Sequence, residues 1–433
     1  MSVFAKASAS RSRTLKTVIG GVAVIAASAL VLSGCAPAES EETGGSTETR
    51  DLTLKIGTVL PQTGSLAFLG PPEEAGVALA AKEINDADLG ITIDVTYGDS
   101  GDTDNKAYET TVPKLLDSGV SAIIGAAASG VSKLFIDEVV GAGVIQFSPA
   151  NTSPDFTTWD DDNLYWRTAP SDLLQGEVLG NLIADDGNKT LGIIYQNDAY
   201  GTGLEAVVDD IFTAAGGTVV ASESYNDGDA TFDAQISAVT AENPDAIVLI
   251  TFNQIYTIAP ALAAAGFPSD KLYLVDGNLK QFGTEANAEE GTPALPAGVV
   301  EGAQGTAPGP ALAEDFQTRL NDAWVAEGNS PLTDYLYAAE SYDAVILLAL
   351  AALEANSVEG ADIAAKLQEV SGGAGDGTKA TTFADAAAII LEDGTVDYDG
   401  PSGGIKFDDA GDPTEASIGI FKYDAKNINT RTN

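Results

Sequence analysis

From Leu52 to Val275 the chain alternates short apolar runs with helical windows, and this alternation constrains the fold more than any other feature. Leu54–Leu60, Ile91–Tyr97, Ser121–Gly125 and Val144–Ser148 read as strands. Helices are expected between them, near Glu73–Asn85, Lys106–Ser118 and Val131–Val140. The runs are continuously apolar, which suits parallel strands covered on both faces. Such strand–helix order specifies an α/β doubly wound sheet. The layout then recurs. Leu191–Tyr195, Thr218–Ser224, Ala246–Thr251 and Leu272–Val275 read as strands, with helices near Gly203–Ala215, Thr231–Glu242 and Tyr256–Ala265. Two Rossmann-like lobes in tandem are expected, bridged by Trp166–Leu174.

The rest of the chain bears on how the lobes connect. Gly298–Ala307 reads as a strand leading into Pro308-Gly309-Pro310, followed by helices near Ala311–Glu327, Asp334–Glu354 and Gly360–Glu369. Ala344–Leu350 is apolar nearly all round, as in a buried helix. Two short strands are expected within Gly404–Asp424. Extra elements after two tandem lobes imply repeated crossings, hence a multi-strand hinge with a cleft at the carboxyl ends of both sheets. The expected division is residues 52–169 plus about 308–396 in lobe 1, and 170–307 plus about 397–433 in lobe 2.

Residues 1–34 carry Lys6, Arg11, Arg13 and Lys16 and no acid, with an apolar stretch from Val18 to Leu32. That stretch is short for a membrane span of about twenty residues and reads as a signal peptide. It ends in Leu32-Ser33-Gly34-Cys35, which resembles the lipobox of bacterial lipoproteins. The resemblance implies cleavage before Cys35, lipidation of that cysteine and an extracytoplasmic, membrane-anchored protein. Residues 35–51, with Gly, Ser, Thr, Glu and Pro and little to bury, are expected to be a flexible linker.

Composition removes several function classes. No His and one Cys exclude a Ser-His-Asp or Cys-His site, His-ligated zinc and an internal disulfide. The formal net charge of −43 opposes nucleic-acid binding. Gly201-Thr202-Gly203 suggests a dinucleotide turn, but Gln196–Tyr200 separate it from its strand. Asp99, Asp102 and Asp104 lack the spacing of an EF-hand loop and suit helix capping better. No catalytic residue, cofactor or metal is expected, and paired carboxylates in a recognisable hydrolytic context are not evident.

Several ordered segments carry a resemblance. Leu54-Lys55-Ile56-Gly57 with Thr63-Gly64 and Gly70, Ile123-Ile124-Gly125-Ala126, Ser148-Pro149-Ala150-Asn151-Thr152-Ser153-Pro154, Asp198-Ala199-Tyr200-Gly201 and Asn243-Pro244-Asp245-Ala246 together resemble type I periplasmic-binding proteins. The similarity runs from Leu52 to Tyr423 and points to the leucine/isoleucine/valine-binding group. It implies a monomeric receptor that closes on a small, branched-chain amino acid and hands it to the permease subunits of an ABC importer. Receptors for amides, urea and aromatic acids share the family, and ligand sensors share the fold, so those readings stay open.

The candidate site follows residue by residue. Ser129 ends a Gly/Ala loop and opens a helix, where a hydroxyl and backbone N–H groups suit an α-carboxylate. It could equally cap that helix; the resemblance assigns it to the carboxylate. Ala150 and Thr152 lie in a turn-rich loop, and the resemblance implies a carbonyl and a hydroxyl directed at the ligand. Tyr200 aligns with a tyrosine that closes over the ligand. Asp276 ends the strand Leu272–Val275, where an acid could bond an ammonium, or be plain solvated surface in so acidic a chain. The family usually has glutamate there, so Asp276 is a departure. Phe252 matches a cleft aromatic with a gap in the spacing, and Leu69 is expected to wall the side-chain pocket.

Overall fold

The computed structural model describes residues 50–283, 294–373, 375 and 377–433. The signal segment, Cys35 and nearly all of the linker lie outside them.

Lobe 1 opens with a five-stranded parallel sheet of β1 (Leu52–Val59), β2 (Ile91–Thr96), β3 (Ala122–Gly125), β4 (Ile145–Ser148) and β5 (Tyr165–Arg167), in the order β2-β1-β3-β4-β5. Helices α1 (Gly70–Ala87), α2 (Tyr108–Ser118) and α3 (Ser129–Gly141) make the crossovers. Every residue of β3 and β4 is buried, as parallel strands covered on both faces require. Prolines begin α1 and a left-handed Gly119 ends α2, placing each residue type where its backbone preference fits.

Lobe 2 repeats the plan with α4 (Asp172–Asp185), α5 (Ala199–Ala214), α6 (Asp233–Ala241) and α7 (Ile255–Ala264) around five parallel strands. These are β6 (Thr190–Gln196), β7 (Thr218–Tyr225), β8 (Ala246–Ile250), β9 (Leu272–Val275) and β10 (Gln304–Pro308). The chain then returns to lobe 1 as α8 (Glu314–Ala326), α9 (Ala338–Ala355), α10 (Gly360–Val370) and α11 (Phe383–Leu391), with a small sheet of β11 (Thr378–Ala380), β12 (Val396–Gly400) and β13 (Gly403–Gly404). Finally β14 (Ile418–Tyr423) and β15 (Asn429–Arg431) add antiparallel strands to the second sheet, in the order β15-β14-β10-β9-β8-β6-β7. The chain thus crosses between lobes three times, after β5, after β10 and before β14.

Helix α9 is buried from Ala338 to Leu353, as its all-round apolar sequence demands. It packs along α1 so closely that a Cβ on Gly76 would meet the Ala338 carbonyl oxygen at 2.2 Å. The third crossing is tied to the first by Arg167, which is wholly buried and grips Asp412 with Nε at 2.6 Å and Nη2 at 2.8 Å. Its Nη1 donates to the Ser153 carbonyl at 2.7 Å, so the same side chain steadies the loop after β4.

Some elements differ from the sequence reading. The strand expected over Gly298–Ala307 is confined to Gln304–Pro308, because Gly298 and Gly302 at φ 80° and 81° turn the preceding chain. Helix α9 begins at Ala338 rather than Asp334, stopped by Tyr337 in the left-handed region at φ 61°. The bridge Trp166–Leu174 ends β5 and starts α4, whose N-cap Ser171 accepts from Leu173 N–H. Helix α11 has no counterpart in the sequence reading.

Candidate functional site

The carboxyl ends of both parallel sheets face one another, and the site is made from the loops that leave them. In lobe 1, Asp99 accepts from the N–H groups of Gln62 and Thr63 at 3.1 Å each, and Asp102 from Ser65 N–H at 2.9 Å. These carboxylates therefore pin the loop that carries Leu66 and Leu69. Ser129 is the first residue of α3, and the N-cap is Ala128, which has no side chain to cap with. The first-turn N–H groups are left without a side-chain cap, and the helix dipole favours an anion there. Ser129 Oγ accepts from Ser153 N–H at 3.3 Å, which leaves its own proton to donate. Ala150 is fixed by Ser148 Oγ, which accepts from the N–H groups of Ala150 and Asn151.

In lobe 2, Asp198 caps α5 through Gly201 N–H at 2.8 Å and sets Tyr200 in the first turn. Phe252, leaving β8, stacks on Tyr200 with ring centroids 5.4 Å apart. Asp276 follows β9 and is buried. Its Oδ1 accepts from Gln175 Nε2 at 2.9 Å and Tyr200 OH at 2.8 Å, and its Oδ2 from Tyr337 OH at 2.7 Å. Leu69, Ser129, Ala150, Tyr200, Phe252 and Asp276 all line one cavity between the lobes, with Leu66 and Tyr337. Thr152 is buried but does not line it, and its hydroxyl faces the Asp172 carboxyl. The cavity holds about 10 Å³, water-sized, because the lobes meet at its mouth. There Thr103 Oγ1 donates to Asp227 at 3.0 Å and Asn253 N–H to the Ser65 carbonyl at 3.1 Å.

Three residues at the site were not singled out from sequence. Gln175 and Asp172 ride on α4, whose first turn reads only as a bridge between lobes. Tyr337 falls inside what reads as continuous helix. Asp172 is wholly buried, and its carboxyl faces the Thr152 hydroxyl without a well-formed hydrogen bond. Burial, and next the charge of Asp276, pushes its carboxyl well above the usual carboxylate range. Burial also raises Asp276, against the pull of its three side-chain donors.

Raised carboxyls predict how stability depends on pH. Burial lifts Asp198 to about 6, Asp343 to about 7 and Glu340 to about 8. Each stays protonated in the folded chain at a pH where the unfolded chain has lost the proton. Their stabilisation is therefore complete below the ordinary carboxylate value and is lost as pH rises through the folded values. Self-repulsion among the excess acids acts in the same direction. The thermal midpoint should fall between about pH 5.5 and about pH 8.5; a midpoint that rises over that interval would refute the assignment.

Two lobes on largely parallel sheets, joined by three crossings and enclosing a small cavity, define a binding-protein fold. The chain belongs to the periplasmic binding protein family, whose profile matches residues 53–412. It is similar to a leucine-, isoleucine-, valine-, threonine- and alanine-binding protein of Pseudomonas aeruginosa, at 31% identity over 43% of this chain and 50% of that one. The match thus spans about half the length of that relative. A chemotactic signal transduction system substrate-binding protein, BasB of Halobacterium salinarum, is 25% identical over 83% of this chain and 84% of its own. Among solved structures, a leucine-binding protein from Thermotoga maritima shares the fold with a TM-score of 0.68 and 22% identity, covering 88% of this chain and 98% of that one.

Proposed function

We propose that this protein is an extracytoplasmic receptor that closes its lobes over a small amino acid, a branched-chain one to suit the apolar wall, and delivers it to an ABC importer. One observation carries the reading: an uncapped helix N-terminus with Ser129 and the carboxylate of Asp276 line the same cavity from opposite lobes. An anion site opposite a cation site suits a zwitterion. The α-carboxylate would take the Ser129 hydroxyl and the first N–H groups of α3. The ammonium would take the free acceptor position of Asp276 and the Ala150 carbonyl, with the buried Asp172 carboxyl close behind Asp276. Thr152 would contribute its hydroxyl once the lobes move, and Tyr200 would close over the ligand. Leu66, Leu69 and Phe252 supply an apolar wall for an aliphatic side chain.

A water-sized cavity admits such a ligand only when the lobes part, so binding and closure are coupled. The moving bodies would be residues 52–169 with about 308–396, and residues 170–307 with about 397–433. Binding alone is the chemistry. Export and anchoring through Cys35 complete the reading, and the purified native protein should carry the mass of a lipid on that residue.

The match to BasB over most of both chains supports a second reading, a receptor that reports its ligand to a signalling partner. Calorimetry against leucine, isoleucine, valine, alanine, urea, short amides and benzoate tests the ligand class. Saturable binding of the branched-chain amino acids supports the proposal; binding confined to urea, amides or benzoate would overturn it.

A further inference from the structure

We infer that the cavity behind the hinge is a second binding site, for a free amino acid with an apolar side chain. The inference does not depend on what the cleft binds. At about 370 Å³ the cavity is far larger than the closed cleft and falls within the range of small-molecule sites, about 300–1,000 Å³. Its walls are the crossing that follows β10, the segment before α9, and β14 with β15. Lobe 2 contributes Phe421 and Arg431, while Leu312 and Glu340 belong to the segments packed on lobe 1.

An ionisable carboxyl and a guanidinium flank one glycine in this cavity. The buried Glu340 carboxyl lies against Gly309, where an added Cβ would meet Oε1 at 2.8 Å. From β15, Arg431 Nη1 donates to the Gly309 carbonyl at 2.8 Å, with its guanidinium over the Phe421 ring. Glu340 and Arg431 form no ion pair with each other among the described residues. A carboxyl that an arriving ammonium can ionise and a guanidinium, held apart on one wall, match the ammonium and carboxylate of an amino acid. Leu312, Leu336 and Phe421 offer apolar surface for its side chain.

The site is wired to the cleft. Tyr337 lines both cavities, and its hydroxyl bonds Asp276. A ligand here touches both lobes at the hinge, so it binds open and closed forms unequally and shifts their ratio. The groups facing Glu340 are Glu73 on α1, Asp343 on α9, Asp334 and Tyr337 before α9 and Arg431 on β15. With Glu340 raised to about 8 by burial, an arriving ammonium favours its ionised form, so binding releases a proton and tightens as pH rises toward about 8.

The experiment is calorimetry of the full chain with phenylalanine and with leucine, on wild type, Asp276→Asn, Glu340→Gln and Arg431→Gln. The expected result is a site that survives Asp276→Asn and is weakened at least about tenfold by Glu340→Gln and by Arg431→Gln. On wild type, 3-phenylpropionate and phenethylamine, each lacking one charge, should not occupy it. Should Glu340→Gln fail to fold, Arg431→Gln and the two analogues decide the matter. A single site abolished by Asp276→Asn, or a second site indifferent to both hinge substitutions, overturns the inference. A single site that survives Asp276→Asn and disappears in Glu340→Gln supports it and overturns the cleft reading instead.

Discussion

Asp276→Asn should lower affinity for the cleft amino acid about a hundredfold, or about 2.7 kcal/mol, while the protein still folds. Aspartate and asparagine are nearly isosteric, so packing against Gly277 and Tyr200 is kept. What is lost is the charge that meets the ammonium, and a charge-assisted bond is roughly twice as strong as a neutral one. The amide also turns an N–H₂ toward a site that must accept, which leaves a buried ammonium partly unsatisfied. The free protein should not suffer. A buried carboxyl raised by desolvation costs stability when it ionises, so its thermal midpoint should hold or rise near neutral pH. Unchanged affinity in a folded variant would remove Asp276 from the site.

The second large effect is on the fold. Arg167→Met should destabilise the protein by about 3–5 kcal/mol, because it leaves Asp412 without its partner in a largely buried setting. The guanidinium also satisfies the carbonyls of Asn151 and Ser153, and it donates to Thr157 Oγ1 at 3.1 Å. Those atoms lie on the loop that carries Ala150 and next to the partner of Ser129. Loss of stability should therefore come with weaker ligand binding. Urea denaturation read by fluorescence measures the first, and calorimetry the second. A loss below about 1 kcal/mol would show that the pair is not held as tightly as its geometry implies.

The elements most legible in the sequence are those whose pattern is local. Continuous apolar runs mark most strands of both sheets, and Leu272–Val275 matches its strand end to end. The all-round apolar stretch Ala344–Leu350 marked a buried helix for the same reason. What escaped depends on distant partners. Tyr337 sits in a helical-looking stretch, and its role comes from a left-handed turn that aims its hydroxyl at Asp276, 61 residues away in sequence. Strand β5 is three residues long and exists because it pairs with β4. Asp172 reads as an ordinary first-turn acid, and only the fold shows that its carboxylate is buried beside Asp276. Ser129 shows the reverse case, in which local sequence left capping and ligand binding equally open. The helix starts one residue too early for Ser129 to be its cap.

The central claim is that one cleft holds both charges of an amino acid. Leucine titrated into the full chain should bind at about micromolar affinity or tighter, whereas 4-methylpentanoate, without the ammonium, and 3-methylbutylamine, without the carboxylate, should each bind at least about a hundredfold more weakly. Either analogue binding within about threefold of leucine would contradict it.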